Sequence, residues 1–181
     1  MRKLIVILFL SFFSFTSFSQ SEVGYNTTDI GGEFQWYKDG KFVGLHVAAN
    51  SKLHNSFHAE IGYYMAGDPT ASFYANQNKG GLGLGLGYRY YTLYRPHGFF
   101  IGIKANLFTN KIILPGTQDP ETNTSKIFIP SLEAGYMILI NDMFFITPGV
   151  SFGYKTNMES IMKIDEKKAV ALIGISTGFK F

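Results

Sequence analysis

The chain has 181 residues, 16 Lys and Arg against 13 Asp and Glu, and no cysteine. Without cysteine it has no disulfide, no thiolate nucleophile and no zinc–thiolate site. Its formal charge of +3 is small and unclustered, which excludes a basic nucleic-acid surface.

The first element is a leader. Arg2 and Lys3 precede an apolar run from Leu4 to Leu10, extended by Phe12, Phe13 and Phe15. Ser17-Phe18-Ser19 has the small-x-small form of a cleavage site. The run is shorter than the ~20 residues a membrane-spanning helix requires. Residues 1–19 therefore read as a signal peptide and residues 20–181 as one mature domain. Arg2 and Lys3 leave with the leader, so the mature formal charge is +1. No cysteine follows the leader to carry a lipid, and no later apolar stretch is long enough for a spanning helix.

After a polar lead-in, Gln20–Asp29, the chain alternates with period 2 in eight segments, the signature of strands. Ile30, Gly32, Phe34 and Trp36 alternate with Gly31, Glu33, Gln35 and Tyr37. Asp39-Gly40 is expected to close a tight hairpin, glycine supplying a positive φ. Val43 to Ala49 alternates with Gly44, His46, Ala48 and Asn50. Phe57 to Met65 alternates with His58, Glu60, Gly62 and Tyr64. Leu82 to Tyr90 alternates with Gly83, Gly85, Gly87, Arg89 and Tyr91. Phe99 to Leu107 alternates with Phe100, Gly102, Lys104 and Asn106. Leu132 to Ile138 alternates with Ser131, Glu133, Gly135 and Met137. Phe144 to Tyr154 alternates with Phe145, Thr147, Gly149, Ser151, Gly153 and Lys155. The last run sets Ala171, Ile173, Ile175, Thr177, Phe179 and Phe181 against Leu172, Gly174, Ser176, Gly178 and Lys180.

One face is apolar, with aromatics such as Trp36, Tyr63, Tyr90, Phe99, Phe144 and Tyr154 near strand ends. The other carries the charges mixed with glycines. Glycine cannot cover a solvated surface but makes room inside a narrow barrel. The predicted fold is all-β, an eight-stranded antiparallel transmembrane up-and-down β-barrel with the apolar face turned to lipid. Short links (Ser51–Ser56, Tyr94–Gly98, Asn141–Asp142) alternate with long ones (Gly67–Gly80, Thr109–Lys126, Thr156–Lys167), and the first hairpin is the exception. Pro130 and Pro148 interrupt predicted strands, so local bulges are expected there.

Inward charges are the candidate site. Glu33, Glu60 and Glu133 against Arg89, Lys104 and Lys155 should form a paired lumen network, because an unpaired buried ion is costly. Such a network either fills the lumen and fixes register or acts as a gate in a narrow pore. His46 and His58 also face inward, with Glu60 beside His58. A His–Glu pair with a serine would suit a lipid-modifying enzyme, but no serine is clearly placed. The same histidines with Glu60 have only generic spacing for a metal. No catalytic residue, metal or cofactor is therefore assigned. The glycine run at 81–87 lacks the third glycine of a dinucleotide loop. His54 and His97 fall in turns, and Asp119, Glu121, Asp165 and Glu166 read as solvated loop charge.

Five segments carry a family resemblance. They are Gly85-Leu86-Gly87-Tyr88-Arg89-Tyr90-Tyr91, Gly98-Phe99-Phe100-Ile101-Gly102, Glu133-Ala134-Gly135-Tyr136, Phe145-Ile146-Thr147-Pro148 and the terminal Gly178-Phe179-Lys180-Phe181. Together they resemble the small porin-like, OmpA-type outer-membrane barrels of Gram-negative bacteria, in particular those of the Bacteroidetes. The resemblance implies an outer-membrane location and a monomer embedded in outer-membrane lipids. It also implies insertion by the barrel-assembly machinery, with Phe179 and Phe181 as the hydrophobic pair of the assembly signal. Ser176 stands where such signals usually carry a glycine. Most members have no assigned activity. A structural or surface-interaction role is expected, with a narrow channel for ions or small solutes as the alternative.

Overall fold

The computed structural model describes residues 26–38, 40–51, 54–66, 77–78, 80–93, 96–113, 122–157 and 168–181. The leader, Asp39, Asp119, Glu121, Asp165 and Glu166 lie outside the described residues. The strands are β1 (Thr27–Tyr37), β2 (Gly40–Asn50), β3 (Asn55–Ala66), β4 (Gly81–Tyr91), β5 (Gly98–Ile113), β6 (Thr122–Ile140), β7 (Phe144–Asn157) and β8 (Lys168–Lys180). Each pairs antiparallel with the next, and β8 pairs with β1, so the sheet closes on itself. A two-residue piece, Gln77–Asn78, adds to the loop end of β5.

Closure has a definite stagger. From Thr27, the register passes to Asn50, Ser56, Arg89, Gly102, Glu133, Ser151 and Leu172, and returns to β1 at Tyr37, ten residues beyond its start. Eight strands with that shear tilt at roughly 35–45° and enclose a lumen that side chains fill. The start of β1 and the end of β8 lie at one end, where backbone bonds tie Thr28 to Phe181 in both directions at 2.9 and 2.8 Å.

Alternation sorts the residues as the sequence pattern predicts. Leu45, Leu86, Leu132, Phe152 and Ile173 are each more than 60% exposed, while Glu33, His46, Glu60, Arg89 and Lys104 are buried. The core is therefore the lumen, and the exposed surface is an apolar belt. Trp36, Tyr63 and Tyr154 are exposed near the loop end, and Tyr90, Phe99, Tyr136 and Phe179 near the terminal end.

Glycines on the inner face lie in rows. Gly44, Gly62 and Gly83 are register neighbours on β2, β3 and β4, and Gly135, Gly149 and Gly174 on β6, β7 and β8. A Cβ on Gly83 would stand 2.7 Å from the Phe42 ring, and one on Gly135 2.6 Å from Phe100. Each row thus makes space for an inward aromatic.

Several local expectations change. The first hairpin is displaced by one residue: Gly40 opens β2 opposite Tyr37 and is not among the positive-φ residues. Its lack of a side chain serves packing, since a Cβ there would stand 2.5 Å from the Met65 carbonyl oxygen. Neither proline makes a bulge. The β6–β7 register is constant throughout, but the ladder skips Ile129–Pro130 and Tyr136–Met137, the latter opposite Thr147–Pro148. The missing proline N–H is met by an interrupted ladder, not by an inserted residue. The long link after β5 also contracts, because paired strand continues to Ile113↔Thr122. The Ile140–Met143 turn matches the short link expected there. Asn141 and Asp142 have φ of 52° and 57°, the geometry of a type I′ hairpin.

Candidate functional site

The lumen has three layers. At the loop end Tyr37, Phe42, Tyr64, Phe108, Ile127, Ile129 and Leu172 form a buried apolar cluster. Its rings interlock: Tyr37 meets Tyr64 and Phe108 edge-on at 5.7 and 5.6 Å, and Tyr64 stacks on Phe108 at 4.8 Å. At the terminal end Tyr91, Phe100, Met137 and Phe145 form a second cluster. Between these plugs lies a layer of charge.

Glu33 is its hub. Lys104 Nζ donates to Glu33 Oε1 at 2.8 Å, as does Gln35 Nε2 at 2.7 Å, and His46 Nδ1 lies 3.1 Å from Oε2. Lys104 also pairs with Glu60 Oε1 at 2.5 Å, and Gln35 Nε2 donates to Glu60 Oε2 at 2.8 Å. Arg89 grips Glu133 through Nε at 2.9 Å and Nη2 at 3.3 Å, with its guanidinium 4.7 Å from the centre of the Phe100 ring. His58 Nε2 stands 3.7 Å from both Glu60 and Glu133, and its ring stacks on His46 at 5.5 Å. The two halves of the network therefore meet at His58.

Backbone choices admit these bulky groups. A Cβ at Gly85 would stand 2.9 Å from Glu60 Oε2, and one at Gly102 2.8 Å from Glu133 Oε1. A Cβ at Gly87 would collide with the His58 ring. The glycine run of β4 is thus the counterpart of large polar side chains on β3, β5 and β6.

Five of the six anticipated network residues come together: Glu33, Glu60, Arg89, Lys104 and Glu133. Lys155 does not join this central layer. It is half-buried near the loop end of β7, opposite Lys168. Phe179 and Phe181 are exposed at the terminal end, where Phe179 meets Phe144 at 5.7 Å. His54 and His97 lie in the turns at that end.

Sequence reasoning missed Gln35, which bridges two carboxylates and accepts from the Tyr37 hydroxyl at 2.5 Å. It also missed the pair of Lys180 with buried Asp29 at 2.9 Å, close to the β1–β8 seam. The aromatics on the glycine-bearing face were the legible signal for the plugs.

Chemically, the layer is a buried polar core. Atoms of Glu33, His46 and Glu60 lie within 4.8 Å of one another, close enough to share a cation. The Lys104 ammonium already bridges the two carboxylates. Beside the network, the β7–β8 wall carries only Thr147, Gly149, Ser151, Gly174 and Ser176, and leaves a cavity of about 30 Å³. That is room for at least one water.

No protein-family model matches the chain, and no curated protein sequence does. Among solved structures, the N-terminal β-barrel domain of Pseudomonas aeruginosa OprF is similar with a TM-score of 0.53 and 14% identity. That match covers 86% of this chain and 98% of the OprF domain. Neisserial surface protein A matches at TM-score 0.43 and 14% identity, over 85% of this chain and 93% of that one. At 14% identity the OprF likeness shows the fold alone: an all-β, eight-stranded antiparallel closed barrel.

Proposed function

We propose that this chain is an integral outer-membrane β-barrel protein with a filled lumen and a structural or surface-interaction role. The carrying observation is the inversion of its two faces. Leucine, isoleucine and aromatic side chains form a continuous exposed belt, while three glutamates, an aspartate, an arginine and two lysines are buried. A water-soluble barrel would reverse this, whereas a lipid-embedded one requires it. In hydrocarbon every backbone group must be paired within the protein, which sheet closure provides.

The short turns at the terminal end would face the periplasm and the longer links the outside. Phe179 and Phe181 would present the assembly signal, and the barrel would stand as a monomer in outer-membrane lipid. The Bacteroidetes grouping rests on the sequence segments alone. The reading is non-enzymatic: both inward histidines lie between the plugs, away from the lipid face where a lipid substrate would approach.

The first test is gel mobility of mature protein from isolated outer membranes, unboiled against boiled. A shift on boiling supports a closed barrel in that membrane. Recovery from the soluble periplasm, with no shift, overturns the reading.

A narrow channel is the second reading, favoured by the polar cavity between the Arg89–Glu133 pair and the small-residue β7–β8 wall. Planar-bilayer recordings separate the two. A filled lumen gives no steady conductance, and a gate gives openings that lengthen in Glu133→Ala.

A further inference from the structure

The buried layer carries an uneven charge count. Between the plugs stand three carboxylates, Glu33, Glu60 and Glu133, and two permanent cations, Arg89 and Lys104. Asp29 and Lys180 form a separate pair nearer the termini, and Lys155 lies half-buried near the loop end. With both histidines neutral, the layer holds one uncompensated negative charge. An isolated charge in a low-dielectric interior costs several kcal/mol and is removed by taking up a proton.

We propose that Glu33, His46 and Glu60 form a binding site for a single proton that neutralises the buried layer of the folded barrel. The geometry marks the place. His46 Nδ1 lies 3.1 Å from Glu33 Oε2 and 3.8 Å from Glu60 Oε1, and its ring is fully buried. His58 is the poorer carrier, at 3.7 Å from its nearest carboxylates and in the same layer as Arg89 and Lys104. Glu133 is already gripped twice by Arg89. The groups around His46 are Glu33 on β1, His58 and Glu60 on β3, Arg89 on β4, Lys104 on β5 and Glu133 on β6, while β7 offers only the Phe145 ring at 6.3 Å. One proton makes this set neutral, and a second makes it a buried cation.

The inference rests on the filled-lumen reading, but its test does not depend on where the barrel resides. The mature protein is refolded in detergent micelles with isotope-labelled histidine and glutamate side chains. Imidazole nitrogen and carboxyl carbon signals are then read at about pH 8, where an ordinary histidine is neutral. The expected result is one retained proton, seen as a doubly protonated His46 or a protonated Glu60. Glu60→Gln removes one negative charge, so in that variant His46 is neutral at the same pH. Because the folded wild type binds the extra proton, its stability should fall relative to Glu60→Gln as pH rises above neutral. A neutral His46 with Glu33, Glu60 and Glu133 all ionised in the wild type overturns the proposal. Where His46 is doubly protonated in the wild type, an unchanged His46 signal in Glu60→Gln does the same. Loss of the heat-shifted gel band would count against the closed barrel and not against the proton.

Discussion

Arg89 and Glu133 show what a buried pair demands of its neighbours. Removing one partner strands the other as an unpaired buried charge beneath the Phe100 ring. Arg89→Met should therefore destabilise the folded barrel by about 3–5 kcal/mol, whereas Arg89→Met with Glu133→Leu should recover most of that loss. Urea unfolding of refolded protein, followed by tryptophan fluorescence from Trp36, measures both. The glycines separate in the same way. A Cβ on Gly62 would collide with the Val43 carbonyl and the Gly44 backbone, while one on Gly32 meets only the Gly44 oxygen at 3.9 Å. Gly62→Ala should cost about 1–3 kcal/mol, and Gly32→Ala should stay within about 0.5 kcal/mol. Inward placement of the charges was legible because alternation has a strict period of 2. The identity of each pair was not, since it depends on which strands the register brings level.

At the scale of elements, β5 and β6 run well past the zone where the other strands close. Their ladder extends from Phe108↔Ile127 to Ile113↔Thr122, above the loop-end plug. Residues above the plug add nothing to closure. Replacing residues 111–124 with a two-residue turn should leave the heat-shifted gel band intact. The sequence hid this extension because Thr109–Lys126 is polar and lacks clear alternation. The two prolines misled for a related reason. A proline signals a lost hydrogen bond, but only the paired strand reveals whether a bulge or a skipped rung absorbs it. Constant register across β6 and β7 makes it a skipped rung.

For the whole molecule, the deciding property is which solvent meets the belt. Leu86 sits mid-strand on β4 and is 67% exposed. In a bilayer, Leu86→Arg should cost about 2–4 kcal/mol, as a charge on the lipid face does near the midplane. In a soluble barrel it would cost almost nothing. Unfolding titrations in lipid vesicles, paired with refolding yield in detergent, read the difference. The plugs make a complementary prediction. Phe42→Ala removes a ring between the Gly44 and Gly83 positions and should destabilise by about 3–5 kcal/mol, without adding steady conductance, because the charge layer and the terminal plug still close the lumen.

By itself the sequence determined the strand count, the face each side chain takes and the end at which most short links lie. Those properties are local: they follow from alternation, turn residues and the spacing between runs. Only the tertiary structure decided that Lys155 lies near the loop end, that Gln35 joins the network, that His58 links its halves and that aromatic clusters flank it at both ends. Each of these depends on closure with a ten-residue stagger, which brings together strands far apart in sequence. No pattern within a single strand records that stagger.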